Sequence, residues 1–88
     1  MLVPYILRFT EKFLEALEAK GDLAKYEFGH DGGPQLEQDP YPGGGSLVVL
    51  KVPNPDRPDN VYHMFLERTP TIVAFTIEDQ TVNVVDLL

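Results

Sequence analysis

Three apolar, β-branched runs crowd the C-terminal third of this chain and leave it little choice of architecture. Residues 61–68, 71–77 and 81–87 are separated by breaks of two and three residues. Breaks that short join antiparallel neighbours, because a parallel connection needs a dozen residues or more. The segment therefore reads as a β-meander. Its middle run is apolar on both faces, with Val73, Phe75 and Ile77 on one and Ile72 and Ala74 on the other. That pattern marks a central, covered strand.

The N-terminal half supplies the cover. Val3, Tyr5, Leu7 and Phe9 alternate along residues 2–9, the period-2 pattern of a strand, with Pro4 placed near its start. Thr10 then offers a hydroxyl as an N-cap, and Glu11 suits the positive end of a helix. Phe13, Leu14 and Leu17 make an apolar stripe at helical spacing, and Gly21 is a natural stop. The spacing predicts a helix over Glu11–Lys20. Asp22 is positioned to cap a second, short helical turn over 23–26; an extended segment over 24–28 also fits, and the helical turn is the favoured of the two.

Residues 29–46 hold six glycines and three prolines and read as an irregular, flexible loop. Glycine raises the entropy cost of ordering, and proline blocks helix and ladder alike. A strand over 47–52 closes at Pro53, and 54–60 is a turn-rich connector. The expected fold is α/β of the α+β type. One main helix packs on a four- to five-stranded, mainly antiparallel sheet, within a single domain spanning residues 1–88. Phe13, Leu14 and Leu17 are expected to meet Leu7, Phe9, Val49, Phe65, Val73 and Phe75.

Size and charge narrow the function. A domain of 88 residues buries only roughly 60% of its unfolded surface. The absence of cysteine excludes disulfides, thiolate metal sites and a cysteine nucleophile, and fits a reducing cytoplasmic setting. No apolar run approaches the roughly 20 residues of a membrane span, and the N-terminus lacks the basic-then-apolar pattern of a signal peptide. Seven basic residues stand against 14 acidic, a net charge of −7, and eight of the acidic residues fall within 11–39. A chain that grips phosphates needs the opposite sign, so direct nucleic-acid binding is disfavoured and a basic protein partner is favoured.

No motif announces a reaction, a cofactor or a metal. His30 and Asp31, followed by Glu37 and Asp39, lack the ligand spacing of a known metal site. The run Gly43-Gly44-Gly45-Ser46 leads into a strand, not a helix N-terminus, and no lysine follows at the spacing a phosphate loop requires. Tyr41 lies between Pro40 and Pro42, and such a stiffened aromatic either anchors an interface or folds back over the sheet. Tyr41, Asp31, Glu37 and Asp39 are the candidate partner-binding residues. His63 shares a strand face with Val61, Phe65 and Glu67 by alternation, and Arg57 and Arg68 sit at element ends. These residues yield a first expectation: a small acidic protein-binding module without catalytic activity of its own, an inhibitor of a basic or nucleic-acid-binding partner.

The run Ile6-Leu7-Arg8-Phe9-Thr10 leading into a helix, with the strands 62–68 and 72–85, gives a second expectation. These segments resemble the opening and the terminal meander of the RelE/ParE superfamily of toxin–antitoxin toxins. The resemblance implies a toxin that cleaves messenger RNA on the ribosome or poisons DNA gyrase, with Arg68 and His63 as its site residues. The chain departs from the cleaving branch in being acidic and in ending on Asp86-Leu87-Leu88, without a terminal basic residue or tyrosine.

Overall fold

The computed structural model describes residues 3–53 and 61–88. The connector expected over 54–60, with Arg57, and the first residue of the expected N-terminal strand lie outside them. Five strands form one sheet in the order β1-β5-β4-β3-β2. They are β1 (Ile6–Phe9), β2 (Val49–Val52), β3 (Val61–Leu66), β4 (Thr71–Glu78) and β5 (Thr81–Leu87). Strands β2 to β5 form the antiparallel meander, and β1 lies parallel to β5 at the opposite edge. Asp79 takes the left-handed conformation in the β4–β5 turn (φ 52°), which a short polar side chain tolerates.

Helix α1 spans Glu11–Lys20, as its stripe predicts. Thr10 caps it, accepting the Phe13 N–H at 3.1 Å. Gly21 closes α1 at φ 100°, a conformation that favours glycine, and α2 (Asp22–Glu27) starts directly after it.

The region expected to be an irregular loop is helical for its first half. A π-helical turn, Phe28–Gly32, continues α2 and passes into α3, Gly33–Gln38. Leu36 is fully buried, and Pro34 sits in the first turn of α3, where a missing N–H costs nothing. Gly32 is there for proximity: a Cβ on it would come within 3.1 Å of the Phe28 ring and 3.3 Å of the Leu66 side chain. Its lack of a side chain lets the helical segment approach the sheet.

The helices cover one face only. Phe13, Phe28, Leu36, Met64, Val73, Phe75 and Val82 form the core between the layers. Two residues expected there lie elsewhere. Leu14 is half exposed, because Phe13, Ala16 and Leu17 take the inward positions of α1. Phe65 points away from the helices, because Tyr62, Met64 and Leu66 are the buried set of β3 and alternation sends its neighbours to the other side.

Two side chains tie the layers together. The Gln35 amide donates to the Leu47 carbonyl at 2.8 Å and accepts its N–H at 2.9 Å, pairing α3 with the approach to β2. The buried Glu27 carboxylate accepts the Arg68 N–H at 2.7 Å, the Thr69 N–H at 3.0 Å and the Thr69 hydroxyl at 2.6 Å. Burial is the largest single influence on that carboxyl and pushes it up. The hydrogen bonds from Thr69 and Arg68 together outweigh it and hold the group below its ordinary value.

Candidate functional site

The sheet face left bare by the helices carries an open cavity. Its volume is about 530 Å³, and Thr10, Lys12, His63, Ala74, Asp86 and Leu88 are among its lining residues. The register explains the hollow. Ala74 pairs with His63 on one side and with Asp86 on the other, so a methyl group forms the floor between two long polar side chains.

A β-bulge places Asp86 there. Ala74 pairs with Asp86, but the next residue, Phe75, pairs with Val84, so Val85 is one extra residue in β5. Val82 and Val84 face the core, and strict alternation would send Asp86 inward after them. The extra residue reverses the parity. Leu87 is buried instead, and Asp86 turns to the open face. Thr10 secures the bulge, its N–H donating to the Val84 carbonyl at 3.1 Å and its hydroxyl to the Val85 carbonyl at 2.8 Å. The same residue starts α1, so Lys12, two positions on, is delivered to the cavity.

Lys12 Nζ lies 3.0 Å from Asp86 Oδ2, and the Leu87 N–H donates to Asp86 Oδ1 at 2.8 Å. Burial, again the largest single influence, pushes the Asp86 carboxyl up. The Lys12 hydrogen bond, the Leu87 N–H and the Lys12 charge together draw it below the usual carboxylate range. Lys12 is mostly exposed, so this pair adds little to stability. The face also carries apolar residues, Val48, Leu50 and Leu88, each about half exposed, while Thr76, Asn83 and Arg8 share it by register with Val61.

Of the residues singled out in the sequence, only His63 lines this cavity. Arg68 is exposed in the β3–β4 turn beyond it, so the structure does not bring the two together. The four candidate partner-binding residues lie about the helical segment and its exit and do not converge on one cavity. Asp31 bonds the neighbouring His30 ring at 2.8 Å and borders a small polar cleft with Gln35 and Gly44. Glu37 is exposed on α3, its carbonyl accepting the Tyr5 N–H at 2.8 Å. Asp39 ends α3, and its carboxylate accepts the Tyr41 N–H at 3.1 Å. Tyr41 meets Tyr5 and Tyr62 edge-on, with ring centroids 6.4 and 6.0 Å apart, and keeps 42% of its surface exposed. It folds back over the end of the sheet.

Among the described residues, no group of three or more histidines or carboxylates could hold a metal ion. No described helix is long and apolar enough to cross a membrane.

Neither the family models nor the curated proteins contain a match to this chain. Its structure does match a solved one, the RelE chain of the archaeal RelE–RelB complex from Pyrococcus horikoshii OT3. The TM-score is 0.71 at 19% sequence identity, over 94% of this chain and 91% of that one. The fold is that of the RelE/ParE toxins: helices on a five-stranded, mixed, mostly antiparallel sheet. This match corrects the first expectation drawn from the sequence. Along nearly its whole length the chain has the fold of a RelE, which favours the second expectation over the acidic inhibitor module. The matched RelE is held in complex with a protein, RelB.

Proposed function

We propose that this chain is the toxin half of a type II toxin–antitoxin pair, acts on translation in the cytoplasm by cutting messenger RNA, and is silenced by a protein antitoxin. The observation that carries the reading is the 94% overlay on RelE. The bare face supports it, because its cavity gathers an imidazole, a carboxylate and an ammonium group, the side-chain types that move protons and neutralise phosphate.

The charge shapes how such a toxin works. At −7 the chain has no general affinity for free RNA, so the strand must be presented to it, as the ribosome presents messenger RNA. The exposed carboxylates Glu15, Glu18, Glu37 and Asp39 lie on the helices and at their end. That acidic side, with Tyr41, is the surface for a basic segment of the antitoxin.

The test is induction in cells. Expression arrests growth, incorporation of labelled amino acids falls before DNA synthesis does, and co-expression of the neighbouring gene rescues growth. Unimpeded growth at high expression would sink the reading. A second target has one observation in its favour. The apolar residues Val48, Leu50 and Leu88 on the open face suit a protein, and among the targets the resemblance implies that protein is DNA gyrase. In that case DNA synthesis fails first, and the purified chain inhibits supercoiling.

A further inference from the structure

We propose that Asp86 and His63 are the catalytic base and acid of phosphodiester cleavage in the cavity above Ala74, with Lys12 as the phosphate contact. The proposal rests on the reading of the chain as an RNA-cutting toxin and names the residues that do the work.

The geometry is that of an in-line displacement. Ala74 pairs with both His63 and Asp86, so their Cα atoms stand two interstrand spacings apart, roughly 10 Å. An in-line reaction needs its base and its acid on opposite sides of the phosphorus. Two side chains rising from either side of a methyl floor meet that need, in a cavity of about 530 Å³.

The step balances without a cofactor. The Asp86 carboxylate takes the proton of a ribose 2′-hydroxyl, whose oxygen attacks the adjacent phosphorus. The phosphorus–O5′ bond breaks, and the protonated His63 ring gives its proton to the departing 5′-oxygen. The products are a 2′,3′-cyclic phosphate and a 5′-hydroxyl end. Asp86 leaves with a proton and His63 without one, and exchange with water restores both.

Lys12 links binding to activation. In the free protein it pairs with Asp86 at 3.0 Å and weakens that carboxylate as a base. Lys12 is 74% exposed on a flexible stem, so an arriving phosphate can draw its ammonium group away. Asp86 then regains basicity at the moment a substrate is present.

The experiment uses the whole chain in a translating cell-free extract with a defined message, mapping the ends formed. Wild type produces 2′,3′-cyclic phosphate and 5′-hydroxyl ends. His63→Ala and Asp86→Asn each slow cleavage by about 10²–10⁴-fold, with melting temperature and ribosome binding unchanged. Among the described residues, the charged groups sharing the cavity with His63 are Asp86 and Lys12. Wild-type speed in either variant overturns the assignment, as does a wild-type reaction that cuts no RNA. Growth arrest is scored separately. Arrest without RNA cleavage overturns the catalytic pair and the messenger RNA target and leaves a toxin with a different target, whereas cleavage by the pair without arrest upholds the pair and overturns the toxin reading.

Discussion

Thr69 gives Glu27 two hydrogen bonds at once, its N–H at 3.0 Å and its hydroxyl at 2.6 Å, across 42 positions of sequence. With the Arg68 N–H, this makes a buried carboxylate on α2 the anchor of the β3–β4 turn. No described cation pairs with it, so hydrogen bonds alone keep it ionised. Glu27→Gln keeps the shape but turns an amide NH₂ toward backbone donors. The expected loss is about 1–3 kcal/mol, read from urea unfolding.

The same carboxylate predicts an acid limb of stability. Its folded-state pKa lies below the ordinary value, so the folded protein holds this proton less readily than the unfolded chain. The contribution is complete above the unfolded value of about 4.3 and is lost as pH falls through the folded one. Melting curves of wild type and Glu27→Gln should converge as the pH drops below that window. A gap that stays constant across it would refute the assignment.

Leu36 separates a core helix from a surface loop. Leu36→Ala should cost about 2–5 kcal/mol, as a fully buried leucine does. Leu14→Ala, on the exposed side of α1, should stay within about 0.5 kcal/mol. Equal melting temperatures for the two variants would contradict the packing described.

Thr10 performs three tasks, and Thr10→Val removes two of them. The variant loses the helix cap and leaves the Val85 carbonyl without its hydroxyl partner. The expected cost is about 1–2 kcal/mol, restored by Thr10→Ser. In the NMR spectrum the Asp86 and Leu87 amides should shift more than those of Thr71 and Ile72.

Free RNA should not bind. A fluorescence titration with a single-stranded oligonucleotide at physiological salt is expected to show no saturable signal, because the net charge opposes counterion release. Tight, salt-sensitive binding would mean that the cations of the open face outweigh the rest of the surface.

The meander, α1 and the Thr10 cap could be read in the sequence because each rests on local pattern. Alternation from Val61 to Leu66 and the stripe of Phe13 and Leu17 need no knowledge of distant contacts. Helix α3 and the turn leading into it could not be read that way. Gly32 and Gly33 look like chain breakers until Phe28 is known to pack against both and Leu66 against Gly32, and Gln35 looks like a surface residue until it pairs with Leu47. Phe65 was misplaced because alternation gives two faces but not which one the helices choose. Lys12 and Asp86 carried no signal, since they meet only once β1 has paired with β5.

The extra residue at Val85 has a bearing on ancestry. A chain that lacked it would keep its charge and nearly all its composition, yet would drive its aspartate into the core and push a leucine into water. One codon gained or lost there separates an open, polar cavity from a sealed one. Between relatives of this chain, the length of the last strand should therefore decide whether the cavity exists more sharply than the identity of any residue along it.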